Sequence, residues 1–556
     1  MKSIRRITVA LVATALAAFP AAAAAHGQDG HSSHQNGSSS RHGSSSQNGS
    51  SSHHGSSSQR YGSPSHHQGG HQNPPSHHHQ NPPPPQPDPL STESLMATID
   101  QYGSSPNHFS GTSADWAEEN TVAQQFRADG LQLGSIAYHF PRFDPTNVAL
   151  STDSHQISSS ALAPLLYSGT TGSHGIKAPL LAAASGTTIT PADAAGKIVV
   201  VSQLSKGVLD SSIEAAVAAG AKGLVYVTKG VGDLPKKEDV NSRNGTGDFP
   251  VLLIGQTSGA EVLADAEAGE NADLTLQAQL GTATDYDVWG VLPGADPSRR
   301  VFVGTPVSSF VPSASERGGG VAILLGLAKH YAEEPLSQRP ESLVFLATSG
   351  HEVGFLGLEA LIEAKGSWFT GADAYVHMGA SLGSPTGVEN PDGSITVTPV
   401  PPAGLKLHDS ENPLLESTSE AAFAAAGQPL GDEEPHLGGG GEQVYAYGAG
   451  VPEIAVNGGG IWFHTAADLP SVVDPGILTR EAQGYLGSTN AIINEPAGAI
   501  KAANTAAEGY AAAAPGLAES RAPVNPVLGA NGVGGPPPQV AGPGPWSSSF
   551  WGPFSW

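Results

Sequence analysis

Five polar residues stand at the carboxyl ends of apolar, strand-like runs: Thr305 after "VFVG", His351 and Glu352 after "FLATSG", His377 after "AYV", and His464 in the loop beyond "PEIAVN". Imidazole nitrogens and carboxylates are the groups that hold divalent metals and pass protons near neutral pH. Open parallel sheets bind their ligands outside the carboxyl ends of the strands. These residues therefore point to a metal or acid–base site. The competing reading is a set of hydrogen-bonded structural histidines. His108, His139, His155, His174, His330 and His408 lie outside this pattern and read as surface or packing residues.

The elements that must position them are legible from periodicity. "RRVFVGT", "ESLVFLATSG", "ADAYVHMG" and "VPEIAVNG" are short apolar runs, and "GGGVAILLGLAKHYAEE" and "GFLGLEALIEAKG" are amphipathic helices between them. Alternation of buried strands with helices predicts an α/β fold, a mainly parallel sheet covered by helices on both faces. Upstream, "LSTESLMATIDQYG" and "TSADWAEENTVAQQFRADGLQL" read as two helices with a stop at Gly130, followed by the extended "SIAYHFPRF".

A second block, residues 161–280, alternates in the same way: "GKIVVVSQ", the helix "DSSIEAAVAAGA" with Asp210 or Ser211 as its cap, "KGLVYVT", "FPVLLIGQ", and the helix "SGAEVLADAEAG". With "AGKIVVVSQ", "AAVAAGAKGLVYVT" and "FPVLLIGQTSGAEVL" it resembles the protease-associated (PA) domain. That resemblance implies a domain without chemistry of its own, inserted in or appended to secreted peptidases and receptors. The expected organisation is a leader (1–25), a polar spacer (26–90), a peptidase-like domain in two segments (91–160 and 281–512), the PA-like insert between them, and a Pro/Gly-rich tail (513–556).

The two-segment domain resembles the M28 zinc exopeptidases. The resemblance rests on the order "VFVGT…ERGGGVAILLGLAKH…SLVFLATSGHEVGFLGLEAL…ADAYVHMGAS…GGGGEQVYAYGAGVPEIAV…FHTAADLPSVVDP". It implies two zinc ions held by a His, a bridging Asp, a Glu, a second Asp and a final His, with a further Glu as base. Carried over by position, the first His falls on Thr305 and the Asp two residues beyond it on Val307. The bridging Asp falls on Arg317, the base on His351 and the second Asp on His377. Glu352 and His464 keep the family's residue types.

A guanidinium in place of the bridging carboxylate has no lone pair to donate and repels a cation, so an intact two-zinc centre is not expected. Two outcomes remain. In one, Glu352, His377 and His464 hold a single zinc or other divalent ion, His351 acts as proton shuttle, and Arg317 binds a substrate carboxylate or an oxyanion; the protein is then a hydrolase of peptide or aminoacyl amide bonds. In the other, Arg317 replaces the metal electrostatically by pairing with Glu352, and with Glu316 or Glu442, in a peptidase-like binding protein without turnover.

Composition sets the limits. The 556 residues carry 25 Lys+Arg against 50 Asp+Glu, a net charge of −25, and no Cys. Phosphate-backbone binding needs the opposite sign, so nucleic acid and anionic membranes are poor partners; thiolate metal sites and cysteine nucleophiles are excluded. Lys2, Arg5 and Arg6 before the apolar run Ile7–Phe19, ending in small residues at Ala25, read as a secretory leader, and no later stretch reads as a membrane span. Residues 26–90 are Ser, Gly, Gln, Asn, Pro and His, with 12 of the 22 His, and read as a disordered spacer or a metal-collecting tether. "GASLG" at Gly379–Gly383 matches the serine-nucleophile elbow literally, but the Pro/Gly-rich "SPTGVENPDGSITVTPV" that follows cannot open the helix an elbow requires. "HLGGGGEQ" around His436 and Glu442 is a glycine-rich loop near the cleft; Glu442 reads as a substrate-amine anchor, as an acid behind the site's ligands, or as a solvated polar group.

Overall fold

The computed structural model describes residues 87–504 except 184–188, 203–205, 239–244, 403–404, 410 and 432–440. The leader, nearly all of the spacer, the tail and His436 lie outside the described residues.

In chain order the strands are β1 (Gln132–Thr152), β2 (Leu162–Pro164), β3 (Ile176–Ala183), β4 (Ile198–Ser202), β5 (Gly223–Val227), β6 (Val251–Ile254), β7 (Asn271–Leu292), β8 (Asp296–Pro306), β9 (Glu341–Thr348), β10 (Ala374–Met378), β11 (Thr386–Glu389), β12 (Ile395–Thr398), β13 (Lys406–Asp409) and β14 (Glu453–Asn457). The helices are α1 (Thr92–Tyr102), α2 (Ser113–Ala128), α3 (Pro191–Ala194), α4 (Lys206–Ala218), α5 (Gln256–Glu267), α6 (Gly319–Glu333), α7 (Leu356–Thr370), α8 (Pro413–Ala425), α9 (Gln443–Gly448), α10 (Pro475–Ile493) and α11 (Ala499–Ala503).

β14, β10, β8 and β9 run parallel to one another in that order. β13 joins β14 and β7 joins β9, both antiparallel. Every residue of β9 and β10 is buried. Burial on both faces is why these strands read as unbroken apolar runs rather than alternating ones. Helix α6 is apolar nearly all round because it is covered all round: Val303 and Phe345 of the sheet and Leu95, Ile99, Leu478 and Tyr485 of α1 and α10 share one core with it. Across the sheet, Phe302 stacks on Phe369 of α7 with ring centroids 4.6 Å apart.

The PA-like segment has its own parallel ladder β3–β4–β5–β6, closed by antiparallel β2. Its hydrophobic cluster of Val199, Val201, Leu209, Ala216, Leu224 and Leu253 contains no residue of the parallel set β8–β10. The expected boundary at 280/281 falls inside β7, which pairs with β3 through Asn271–Leu274 and with β9 through Val288–Leu292. β7 also pairs with β1 from Gln132 to Thr152. β7 thus belongs to both ladders, and β1 runs alongside it.

One local expectation needs correction. Helix α4 begins at Lys206, so Asp210 and Ser211 sit inside it rather than at its cap. After "GASLG" the chain forms the hairpin β11–β12 with its turn around Gly393.

Candidate functional site

The strand ends place the polar residues where chain reversals hold them. After β8 the chain passes through Ser313, in the left-handed region at φ +48°, into one π-helical turn, Ala314–Gly318, that leads into α6. A single π turn offsets side-chain direction, and such turns recur at functional sites. Its first amides are held by Asp468: Ser315 N–H donates to Oδ1 at 2.8 Å and Glu316 N–H to Oδ2 at 2.9 Å. Ser313 Oγ in turn donates to Glu316 Oε2 at 2.8 Å. Glu316 and Arg317, adjacent on this turn, both point into the protein and are fully buried.

Arg317 Nη2 lies 2.9 Å from Glu352 Oε1 and 3.2 Å from Glu316 Oε1. His464 Nε2 lies 3.2 Å from Glu316 Oε1 and 3.8 Å from Glu352 Oε2. The other ring nitrogen, Nδ1, is 2.8 Å from the carbonyl of Lys237. A carbonyl only accepts, so Nδ1 carries the proton and Nε2 is the atom turned to the two carboxylates. His464 is itself left-handed, at φ +62°, with its ring stacked on Phe463 at 3.9 Å and edge-on to Phe310. A non-glycine residue in that region is held by its surroundings, and such residues gather at binding sites.

The electrostatics follow from burial. Burial opposes charge on both Glu316 and His464, but each is the other's counter-ion: with Arg317 also beside it, Glu316 is held at about 2, and His464 is raised to about 9. Burial likewise opposes the Arg317 charge, and Glu316 and Glu352 more than restore it.

Glu442 stands at the start of α9, and burial lifts its carboxyl to about 7 although Thr348 donates a hydrogen bond to it. Its Oε2 is 3.4 Å from His351 Nδ1. His351 packs edge-on to Phe355 at 4.8 Å, and its amide donates to Ser308 Oγ at 3.2 Å.

A cavity of about 250 Å³ is lined by Arg317, His351, Glu352, His377 and His464, with Phe355, Phe463, Asn457, Gly379, Ala380 and Gly441. Lys236 and Glu238 of the PA-like segment also line it, paired with each other at 2.7 Å. Of the expected residues, Thr305 is buried beneath the site and donates to Met378 O at 2.9 Å; it has no place in the cavity lining. His377 shares the cavity, with Nδ1 3.0 Å from the Tyr375 hydroxyl. The ligand atoms that lie within 4.8 Å of one another belong to Glu316, Glu352 and His464. Glu316, expected only as an ion-pair partner, belongs to this group, and His377 does not. Sequence reasoning missed Lys236, Lys237 and Glu238 altogether. Ser381 is buried, left-handed at φ +63°, and followed by the hairpin rather than a helix, so the elbow motif is not realised.

The sequence profile of the PA domain matches residues 162–262. No curated protein matches the chain by sequence. Among solved structures, a peptidase M28 precursor from Shewanella amazonensis SB2B superposes at a TM-score of 0.59 with 16% identity, over 74% of this chain and 94% of that one. BSAP, a zinc aminopeptidase from Bacillus subtilis, gives 0.58 with 20% identity, over 75% and 98%. An aminopeptidase from Aneurinibacillus sp. strain AM-1 gives 0.53 with 16% identity, over 72% and 93%. The chain therefore has the M28 aminopeptidase fold with a PA domain within it. Among the described residues, no helix is long and apolar enough to cross a membrane.

Proposed function

We propose that the protein is a peptidase-like hydrolase of peptide or aminoacyl amide bonds, whose cleft holds one divalent cation between Glu316, Glu352 and His464. The observation that carries this reading is the orientation of His464. Its Nδ1 is committed to the Lys237 carbonyl, which turns Nε2 onto two carboxylate oxygens, the arrangement by which a backbone acceptor orients a ligating imidazole.

The residues present fit such an ion. Glu316 Oε1 is buried, with His464 Nε2 and Arg317 Nη2 each 3.2 Å away, so it faces positive charge and no bulk solvent. Two carboxylates and one imidazole are a hydrolytic donor set of the zinc type with room for a fourth ligand. Arg317 lowers the negative charge that two carboxylates alone would concentrate there, consistent with one ion rather than two. A divalent cation, when bound, polarises an amide carbonyl and lowers the pKa of water toward neutrality.

The chain's own groups do the rest. Glu442, lifted to about 7 by burial, stands 3.4 Å behind His351, which lines the cavity, so the pair is placed to pass a proton there. Phe355 and Phe463 add apolar surface to the cavity, each packed on one of its histidines. Lys236 and Glu238 present one charge of each sign to a peptide-like ligand. The apolar leader read in residues 1–25 makes this an exported hydrolase.

A specific observation favours a second reading, a peptidase-shaped binding protein. The buried Arg317–Glu352 pair, with His464 raised to about 9, gives two cations for the two carboxylates Glu316 and Glu352 without any metal. The two readings separate in one assay. Release of p-nitroaniline from aminoacyl-p-nitroanilides, supported by zinc, manganese or cobalt and lost in both Glu316→Gln and His464→Ala, supports the hydrolase. Absence of turnover with every metal, alongside binding of a peptide ligand, supports the second reading.

A further inference from the structure

On the far side of the loop that carries His351 and Glu352 lies a second group of carboxylates. Asp115 and Glu119, four residues apart, occupy one face of α2 near its start. Asp285, on β7, comes so close that ligand oxygens of the three lie within 4.8 Å of one another. All three are completely buried, as is Asp287 two residues further along the strand. Two of them share a partner: Ser349 Oγ lies at 2.9 Å from Asp115 Oδ2 and also contacts Asp285 Oδ2. Tyr138 donates to the same Asp285 oxygen at 3.1 Å.

Glu119 supplies the observation that these hydrogen bonds do not explain. It is fully buried and aimed at Asp115 and Asp285; its only hydrogen-bonding neighbour among the described residues is the Asp285 carboxyl, and no donor from outside the three acids reaches either of its oxygens. Three buried carboxyl groups thus meet in one place with no cation among them. An isolated buried carboxylate is strongly unfavourable, and buried charges are found paired or coordinating metals. No Lys or Arg figures among the main influences on these groups; burial and one another's charge push the carboxyls upward.

We propose that Asp115, Glu119 and Asp285 form a second cation site, separate from the cleft, that takes a hard divalent ion of the calcium class. The donor set is all oxygen, with no imidazole, which suits calcium over zinc. The bound ion ties α2 to β7. Through Ser349, whose amide also donates to Asp287 Oδ1 at 2.9 Å, it fixes the root of the loop bearing His351 and Glu352. Gly350, whose amide donates to Ser110 Oγ at 3.0 Å, is the next residue of that root. The site is therefore a positioning device for the cleft, and it does not depend on whether the cleft itself holds a metal.

The test uses the full chain stripped with a chelator and then given calcium alone, an ion for which the His-rich spacer has little affinity. Equilibrium dialysis should find one calcium per chain, and millimolar calcium should raise the Tm by about 3 °C or more. Glu119→Gln, and separately Asp285→Asn, should lose both effects while keeping native circular dichroism; His464→Ala should keep both. Terbium luminescence sensitised by the nearby Tyr138 reports the same occupancy without relying on stability. Wild-type protein that takes up no calcium overturns the proposal, as does Glu119→Gln that binds it with unchanged affinity.

Discussion

His464 and Lys237 are hydrogen-bonded twice. The ring Nδ1 of His464 donates to the Lys237 carbonyl at 2.8 Å, and the Lys237 amide donates to the His464 carbonyl at 3.0 Å. One residue lies on the closing loop of the peptidase-like sheet and the other within the span matched by the PA profile. The PA segment therefore holds and directs an imidazole in the cleft, although its family resemblance implies a domain without chemistry of its own.

Lys237→Pro removes the amide that donates to His464 while leaving the carbonyl in place. Weakening this kind of support typically lowers metal affinity about 10–100-fold. Competition with a zinc chelator on the variant checks this, and unchanged affinity would show that the second hydrogen bond is dispensable.

Arg317→Ala leaves Glu352 and Glu316 buried without their guanidinium. Breaking a buried pair from one side destabilises by about 3–5 kcal/mol. In the chelated protein that loss should appear in urea denaturation; if a divalent ion occupies the cleft, zinc should restore part of it.

Gly320 has no room for a methyl group: a Cβ there would stand 2.3 Å from Thr305 Oγ1, the hydroxyl bonded to Met378 O. Gly320→Ala should destabilise by about 1–3 kcal/mol. Adding Thr305→Ala should recover much of that, measurable as a non-additive double-mutant cycle.

Stability should fall as pH rises from 5 to 9 in chelated protein. Burial lifts Glu118 to about 7 and Glu481 to about 8, from an ordinary 4.5. A carboxyl whose pKa is higher folded than unfolded binds its proton more tightly in the native state. Its contribution is complete below about 4.5 and is lost as pH climbs through the folded value. Glu481→Gln, which keeps an oxygen to accept the Gly383 amide, should flatten the Tm profile between pH 5 and 9.

Much of this fold is written in periodicity. β8, β9, β10 and β14 are apolar because both faces are covered, and α6 is apolar because the sheet, α1 and α10 surround it. The cleft was legible where a side chain's own chemistry marked it: Arg317, Glu352 and His464 converge at strand ends. It was illegible where the backbone acts. A carbonyl has no residue type, so nothing in "LPKKED" marks Lys237 as the partner of His464. The π turn that brings Glu316 inward also leaves no periodic trace, which is why His377 was the more visible candidate. The buried carboxylates did leave a signal, Asp-x-x-x-Glu at the start of α2 and Asp285 and Asp287 within an apolar strand. Read singly, each looks like a solvated face.

The most direct test of the account is metal stoichiometry by elemental analysis on a chain of residues 91–512, made without a His tag and without the spacer histidines, after incubation with zinc and removal of excess. The account predicts about one zinc per chain, lost in both His464→Ala and Glu316→Gln and retained in His377→Ala. Wild-type protein with no bound zinc, or loss in His377→Ala with retention in Glu316→Gln, would contradict it.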